Sequence, residues 1–377
     1  MMMLFTRLLF LFLFLFLPLL PCLRTVQSSP HGPRHDNDPD PVPYYTIEEH
    51  WASPALVDLF ATNPITTLLG VAPLLTALSE IGPVRLASMD AGNVHVQVVS
   101  HAPTAAEAMY LANNTRLAND QLAARLAAHP ERFRGFGVLP MGLPAQAAAE
   151  LRRCVAEHGF VGALVDAHVT TPAGLTAFFD GGEYDLLWAA AVELDVPIYL
   201  HPTFPPLGEI LSSGQGLYAP LEAGGYSGYD AAALGTAAWG WHSQTALSFL
   251  RMYLGGVFER FPTLQVVLGH MGELVPYYLW RADRYLSVNR TVQLRDVFRR
   301  NLHVTTSGIF SLEPMATLLK VTDTKRVLYS VDWPFAKNED GKAFMETLRQ
   351  SGMVSQEEFR DIAYRNSQRL LKLGGHS

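Results

Sequence analysis

From residue 44 onward, apolar runs of strand length alternate with longer segments in which apolar positions recur every three or four residues. The short runs predict strands over 44–48, 94–100, 133–139, 161–166, 197–201, 264–270, 302–307 and 327–332. The longer segments predict helices, including 145–158 ("AQAAAELRRCVAEH"), 184–194 ("YDLLWAAAVEL") and 244–261. Strands apolar on both faces and separated by helices imply a parallel sheet covered on both sides. Eight such units predict a single α/β domain over 44–377, a closed (β/α)8 TIM barrel with loop insertions at its C-terminal face. An open doubly wound sheet is the competing architecture, but no glycine-rich dinucleotide fingerprint follows the first strand.

The longest interruption follows the fifth strand. Residues 202–241, "PTFPPLGEILSSGQGLYAPLEAGGYSGYDAAALGTAAWGW", are rich in Gly, Pro and aromatic residues. Loops of that length in compact domains are usually functional or disordered. Because it leaves the C-terminal end of a strand, this one is expected over the mouth of the barrel as a lid or substrate wall.

The start of the chain is different in kind. A short basic stretch leads into an almost unbroken Leu/Phe run over 8–23, interrupted by Pro18 and Pro21, and Val26-Gln27-Ser28 follows at cleavage spacing. This predicts a secretory signal peptide over 1–28, hence a secreted or lumenal protein without stable membrane insertion after cleavage; an uncleaved anchor is the alternative. Residues 29–43, "SPHGPRHDNDPDPVP", read as a disordered lead-in in which His31 and His35 are solvated. Two sequons, Asn113-Asn114-Thr115 and Asn289-Arg290-Thr291, are compatible with a glycoprotein. Cys22 falls inside the signal, so Cys154 alone remains and the fold must stand on its core. With 49% hydrophobic and 17% charged residues and a net charge of −7, the chain is globular and gives no electrostatic reason to bind nucleic acid.

Four strand ends carry the chemistry. In "TIEEHW" (46–51), alternation along an extended chain puts Glu48 and His50 on one face while Glu49 points away. Strand five closes on His201 ("YLHP"), strand six on His270 ("LGHMGE"), and strand eight on Asp332 ("SVDWPF"). In a closed barrel these ends converge on one rim, gathering Glu48, His50, His201, His270 and Asp332 around a single point. Two carboxylates and several imidazoles suit a divalent cation such as Zn²⁺ or Mn²⁺, with Mg²⁺ as a third option.

These stretches, with "LPMGLPAQAAAELRR" and "LHVTTSGIF", resemble the amidohydrolase-superfamily decarboxylases. The nearest act on ortho-hydroxybenzoates such as γ-resorcylate and 2,3-dihydroxybenzoate; aminocarboxymuconate-semialdehyde decarboxylase is more distant. The likeness runs from about residue 44 to 373. It implies a divalent metal held by Glu48, His50, His201 and Asp332, with His270 and Glu273 as a catalytic pair and Arg281 supporting the site. It also implies a homodimer or tetramer. Hydrolases of this superfamily often begin with His-x-His and place a bridging lysine on strand four, whereas here the first motif is Glu-x-His and "VGALVDAHV" has no lysine. That argues for one metal.

The expected reaction is a carboxy-lyase step: non-oxidative decarboxylation of an ortho-hydroxylated aromatic acid of the resorcylate, dihydroxybenzoate or methylsalicylate type. The cation serves as template and Lewis acid. Asp332 is the candidate proton donor to the ring carbon, and His270, aligned by Glu273, orients or exchanges protons. Trp51, Trp333 and Phe335 are candidates to stack on a flat substrate. His168 either lines the pocket or makes a local hydrogen bond, while His242, His303 and Cys154 are read as structural. The competing function is a mononuclear metal-dependent hydrolase of a lactone or amide on the same barrel. A barrel that only binds ligands is the third reading.

Overall fold

The computed structural model describes residues 42–103 and 109–374. The predicted signal peptide and residues 29–41 of the lead-in therefore lie outside the described residues. Eight parallel strands are arranged in sequence: β1 (Tyr44–Trp51), β2 (Val94–His101), β3 (Phe133–Gly135), β4 (Ala163–Asp166), β5 (Ile198–His201), β6 (Val266–Leu268), β7 (Leu302–Thr305) and β8 (Val327–Leu328). They form two hydrogen-bonded runs, β1 to β3 and β4 to β8. A parallel bridge spans each gap, Gly137 to Ala163 and Glu49 to Trp333. These bridges join the runs into one ring, the arrangement a (β/α)8 barrel requires.

Two apolar layers hold the ring. The larger lies between strands and surrounding helices and includes Leu151, Cys154, Trp188 and Phe249. The smaller fills the barrel with Ile47, Val98, Phe136, Leu164, Tyr199 and Val267, joined by Leu371 and Leu373 from the end of the chain. The segment expected to be one helix over 244–261 is two, Gly240–Leu254 and Val257–Arg260. Gly256 between them adopts φ +74°, a left-handed turn that a continuous helix does not permit.

Strand β1 departs from simple alternation. Its register against β2 shifts between Thr46 and Glu49, so one more residue is used on β1 than on its neighbour. Ile47 packs into the barrel interior and Glu48 still reaches the inner rim. Bulges of this type re-aim side chains beside sites.

The seam between β8 and β1 is closed largely by a side chain. Buried Glu49 accepts hydrogen bonds from the backbone N–H groups of Val331 and Trp333, each at 3.0 Å, and from Ser330 Oγ at 3.1 Å. Ser330 Oγ in turn accepts from the N–H of Ile47 at 3.0 Å and of Glu48 at 2.8 Å. Burial pushes the Glu49 carboxyl up to about 7 even though those backbone donors pull it down.

The long segment after β5, the cap, forms two short helices, Gly208–Leu211 and Gly228–Gly235. It packs on the β1–β2 connection, where Phe60, Ile65 and Leu78 meet Phe204, Ile210 and Tyr218 in an apolar cluster of their own. The expected wall thus has a partner that its own sequence does not announce. Among the described residues, no helix is long and apolar enough to cross a membrane.

Candidate metal centre

Ligand atoms of Glu48, His50, His201 and Asp332 all lie within 4.8 Å of one another. Glu48 Oε1 stands 3.2 Å from His201 Nε2 and 3.5 Å from His270 Nε2, while His50 Nε2 stands 3.0 Å from Asp332 Oδ1. These contacts are close, yet Glu48 Oε1 and His50 Nε2 remain buried without a hydrogen-bond partner. His201 Nδ1 lies 2.7 Å from the carbonyl of Pro202, which fixes its proton there and leaves the Nε2 lone pair facing the cluster. Two carboxylates and two imidazoles whose free atoms face one point fit a divalent cation.

The surroundings orient this set. The Tyr199 hydroxyl donates to Glu48 Oε2, and Thr305 Oγ1 lies 2.9 Å from the same hydroxyl. One oxygen of Glu48 is thereby saturated and the other left for the centre. Gly269 is required beside it, because a Cβ there would come 2.7 Å from Glu48 Oε2 and 2.9 Å from the Tyr199 oxygen. Burial alone would raise the Glu48 carboxyl, but the imidazoles of His270, His201 and His50 hold it well below the usual carboxylate range. Burial likewise opposes charge on His50, and Asp332 with Glu48 outweighs it and raises that imidazole. For His201 burial prevails, and its affinity for a proton falls.

Beside these four side chains sits a second arrangement. His270 Nδ1 is 2.7 Å from Glu273 Oε1, and His242 Nδ1 is 2.6 Å from Glu273 Oε2. His242 Nε2 faces the Ala237 carbonyl at 2.9 Å, so Glu273 is gripped from both sides and the cap is tied to the pair. His242, His270 and Glu273 are close enough to share a cation, but their facing atoms are already matched to one another. Burial works against charge on Glu273, yet His270 and His242 keep its carboxyl below the ordinary range. His270, Met271, Glu273, Leu274 and Asp332 all take left-handed φ values between +47° and +74°. Each costs a non-glycine residue on the order of 1 kcal/mol, and such strain gathers where side-chain placement matters.

An amidohydrolase family model matches residues 82–373. The chain belongs to the amidohydrolase family. Among similar proteins, decarboxylase orsB of Emericella nidulans is 42% identical over 339 residues, covering 88% of this chain and 97% of the relative. A gamma-resorcylate decarboxylase of Rhodococcus jostii is 38% identical over 307 residues, covering 77% and 87% respectively. The crystal structure of a dihydroxybenzoic acid decarboxylase from Polaromonas sp. JS666, with bound manganese and the inhibitor 2-nitroresorcinol, matches with a TM-score of 0.75 and 31% identity over 88% of this chain and 97% of that one.

Within this amidohydrolase barrel not every expected site residue reaches the cluster. Arg281 is exposed on helix Val275–Leu286, where its guanidinium lies 5.2 Å from the Tyr285 ring centre; within this chain it does not join the centre. Trp51 follows Glu49 on the outward side of β1 and is buried in the strand–helix core. Trp333 is buried too, with Arg85 over its ring at 4.1 Å. Both indoles, expected as candidates to stack on substrate, are packed in the core and present little open surface. Phe335 is 38% exposed and meets the His50 ring edge-on at 5.6 Å, so it alone of the three presents open surface beside the ligands.

His168 makes the local bond: its Nε2 lies 2.7 Å from Gln244 Oε1, and Gln244 donates to the Tyr218 hydroxyl at 3.1 Å. Burial lowers the His168 imidazole to about 4. Cys154 is buried against Glu150, and burial pushes its thiol well above the ordinary range. The residues missed as part of the site are Tyr199 and His242. Tyr199 had a signal, since it precedes His201 by two on the same strand and shares its face. His242 had none, because its contact with Glu273 exists only once the cap is folded.

Proposed function

We propose that the protein is a divalent-metal-dependent carboxy-lyase that removes CO₂, without redox chemistry, from an ortho-hydroxylated aromatic acid of the resorcylate, dihydroxybenzoate or methylsalicylate type. The observation that carries this reading is the convergence of Glu48, His50, His201 and Asp332 with the His270–Glu273 pair at their edge. The relatives named as decarboxylases, one of them holding manganese and a nitroresorcinol, support it.

When bound, Mn²⁺ or Zn²⁺ supplies Lewis acidity and a template for neighbouring oxygen atoms of the substrate. Asp332 has 15% of its side chain exposed while Glu48 has none, which makes it the carboxyl open to an incoming ring. It donates a proton to the ring carbon that bears the carboxylate. The electron pair of the carbon–carboxylate bond then returns to the ring as CO₂ leaves, and Asp332 is left deprotonated. His270 Nε2, 3.7 Å from Asp332 Oδ2, is placed to return the proton. Burial disfavours charge on His270, but Glu48 and Glu273 raise its imidazole well above its ordinary value. Phe335 offers an apolar edge to the flat substrate.

The test is to incubate metal-loaded protein with 2,6-dihydroxybenzoate, 2,3-dihydroxybenzoate, salicylate and methylsalicylates, following CO₂ and the ultraviolet band of the acid. CO₂ release with loss of the acid is expected for at least one. Turnover of simple lactones or amides with no CO₂ from any of these acids would assign hydrolysis instead.

A further inference from the structure

At the opposite end of the strands lies a second polar site. A depression of about 740 Å³ opens where β7 and β8 begin, between those strand starts and the last helix, Asn366–Leu371. Its lining carries Arg299, Lys320, Lys325, Arg326, Arg369 and His303. The acid in that lining is Asp323, whose carboxylate already accepts from the N–H of Lys325 at 2.9 Å. Arg299, Lys320 and Lys325 are exposed and have no ion-pair partner among the described residues. Such a concentration of positive charge stands out on a chain whose net charge is −7.

Two polar atoms of the lining residues are buried without a partner, His303 Nδ1 and Thr322 Oγ1. His303 Nε2 lies 2.9 Å from Arg326 Nη1 and 3.2 Å from Gln265 Oε1, and that amide oxygen also accepts from Arg326 Nη1 at 2.9 Å. Burial, reinforced by Arg326, lowers the imidazole to about 3, which keeps the ring neutral near physiological pH and leaves the positive charge to the arginine and lysine side chains. A ligand with several acceptor oxygens and negative charge matches those cationic donors.

We propose that this depression binds a tetrahedral dianion, as presented by inorganic phosphate or a simple phosphate ester, at a site separate from the metal centre. The cationic side chains of Arg299, Lys320, Lys325 and Arg369 provide both the attraction and the N–H donors.

The experiment is calorimetric titration of the metal-loaded full-length protein with inorganic phosphate, glycerol phosphate and acetate in turn. Saturable one-to-one binding of phosphate or its ester is expected, with acetate at least tenfold weaker; the tighter of the first two identifies the free ion or the ester as the natural form. The double variant Arg299→Gln/Lys320→Gln should weaken binding at least tenfold. Arg116→Gln/Arg125→Gln, which removes the same charge from exposed positions on helix Ala112–Leu126, should leave it unchanged. Absence of saturable binding, acetate binding as tightly, or equal losses in the two double variants would overturn the proposal. So would binding that survives Arg299→Gln/Lys320→Gln intact, because it would place the anion at the metal centre or elsewhere.

Discussion

Glu48 and Glu49 are consecutive, both fully buried, and belong to two different regions of the molecule. Glu48 faces the inner rim, where Tyr199 satisfies one oxygen and the other is left open beside three imidazoles. Glu49 faces the seam, where donors from Ser330, Val331 and Trp333 close its shell. Burial is therefore a poor guide to function. What distinguishes the two carboxylates is whether the chain completes their coordination or leaves it for something else to complete.

The strongest test of the inner region is Asp332→Asn. Turnover should fall by roughly 10²–10⁴-fold, the range for loss of a general acid, while circular dichroism shows an intact fold; near-normal rates would remove Asp332 from the chemistry. The seam predicts the opposite phenotype. Glu49→Gln should cost about 3 kcal/mol in urea unfolding, because an amide turns a donor toward backbone N–H groups that need an acceptor, yet folded molecules should still bind one metal ion. A variant that keeps full stability but loses metal would erase the distinction between the two acids.

Tyr199→Phe sharpens the contrast from the other side. It frees the second oxygen of Glu48 without touching the seam, so metal affinity should drop by roughly 10–100-fold, as for other lost outer partners of a ligand, with little change in urea midpoint. Equilibrium dialysis measures the first and unfolding the second.

Imidazoles outside the metal set give the fold a pH dependence of its own. His168 and His303 are lowered to about 4 and about 3 by burial, against 6.5 when unfolded. Below 6.5 the unfolded chain binds protons that the folded chain refuses, so stability should decline as pH falls from 6.5 toward 4. His168→Gln should flatten that decline; an identical slope in the variant would show that His168 does not contribute to it.

Much of this was legible along the chain. The strands are apolar on both faces and their ends carry His or acid, so the barrel follows from periodicity, and the four candidate ligands from the likeness of "EEH", "YLHP", "LGHMGE" and "SVDWPF" to a known family. What escaped depends on contacts between distant segments. Alternation showed that Glu49 points away from Glu48 but not that it meets the segment after β8, since its partner Trp333 is 284 positions later. The bulge that brings Ile47 inside beside Glu48 has no composition of its own. Aromatic residues at strand ends suggested stacking, yet Trp51 and Trp333 fall on the outward side, where bulky rings fill the space under the helices. His242 becomes part of the site through the fold of the cap, and Arg281 is turned to solvent by the face of the helix it occupies.

The closing seam also sets an order for biogenesis. Glu48 and His50 emerge early in synthesis, but Asp332 and the backbone amides that grip Glu49 are among the last parts of the barrel to leave the ribosome. A nascent chain can therefore hold a cation only incompletely. The four side chains of the candidate centre come together only once the first and last strands have found each other.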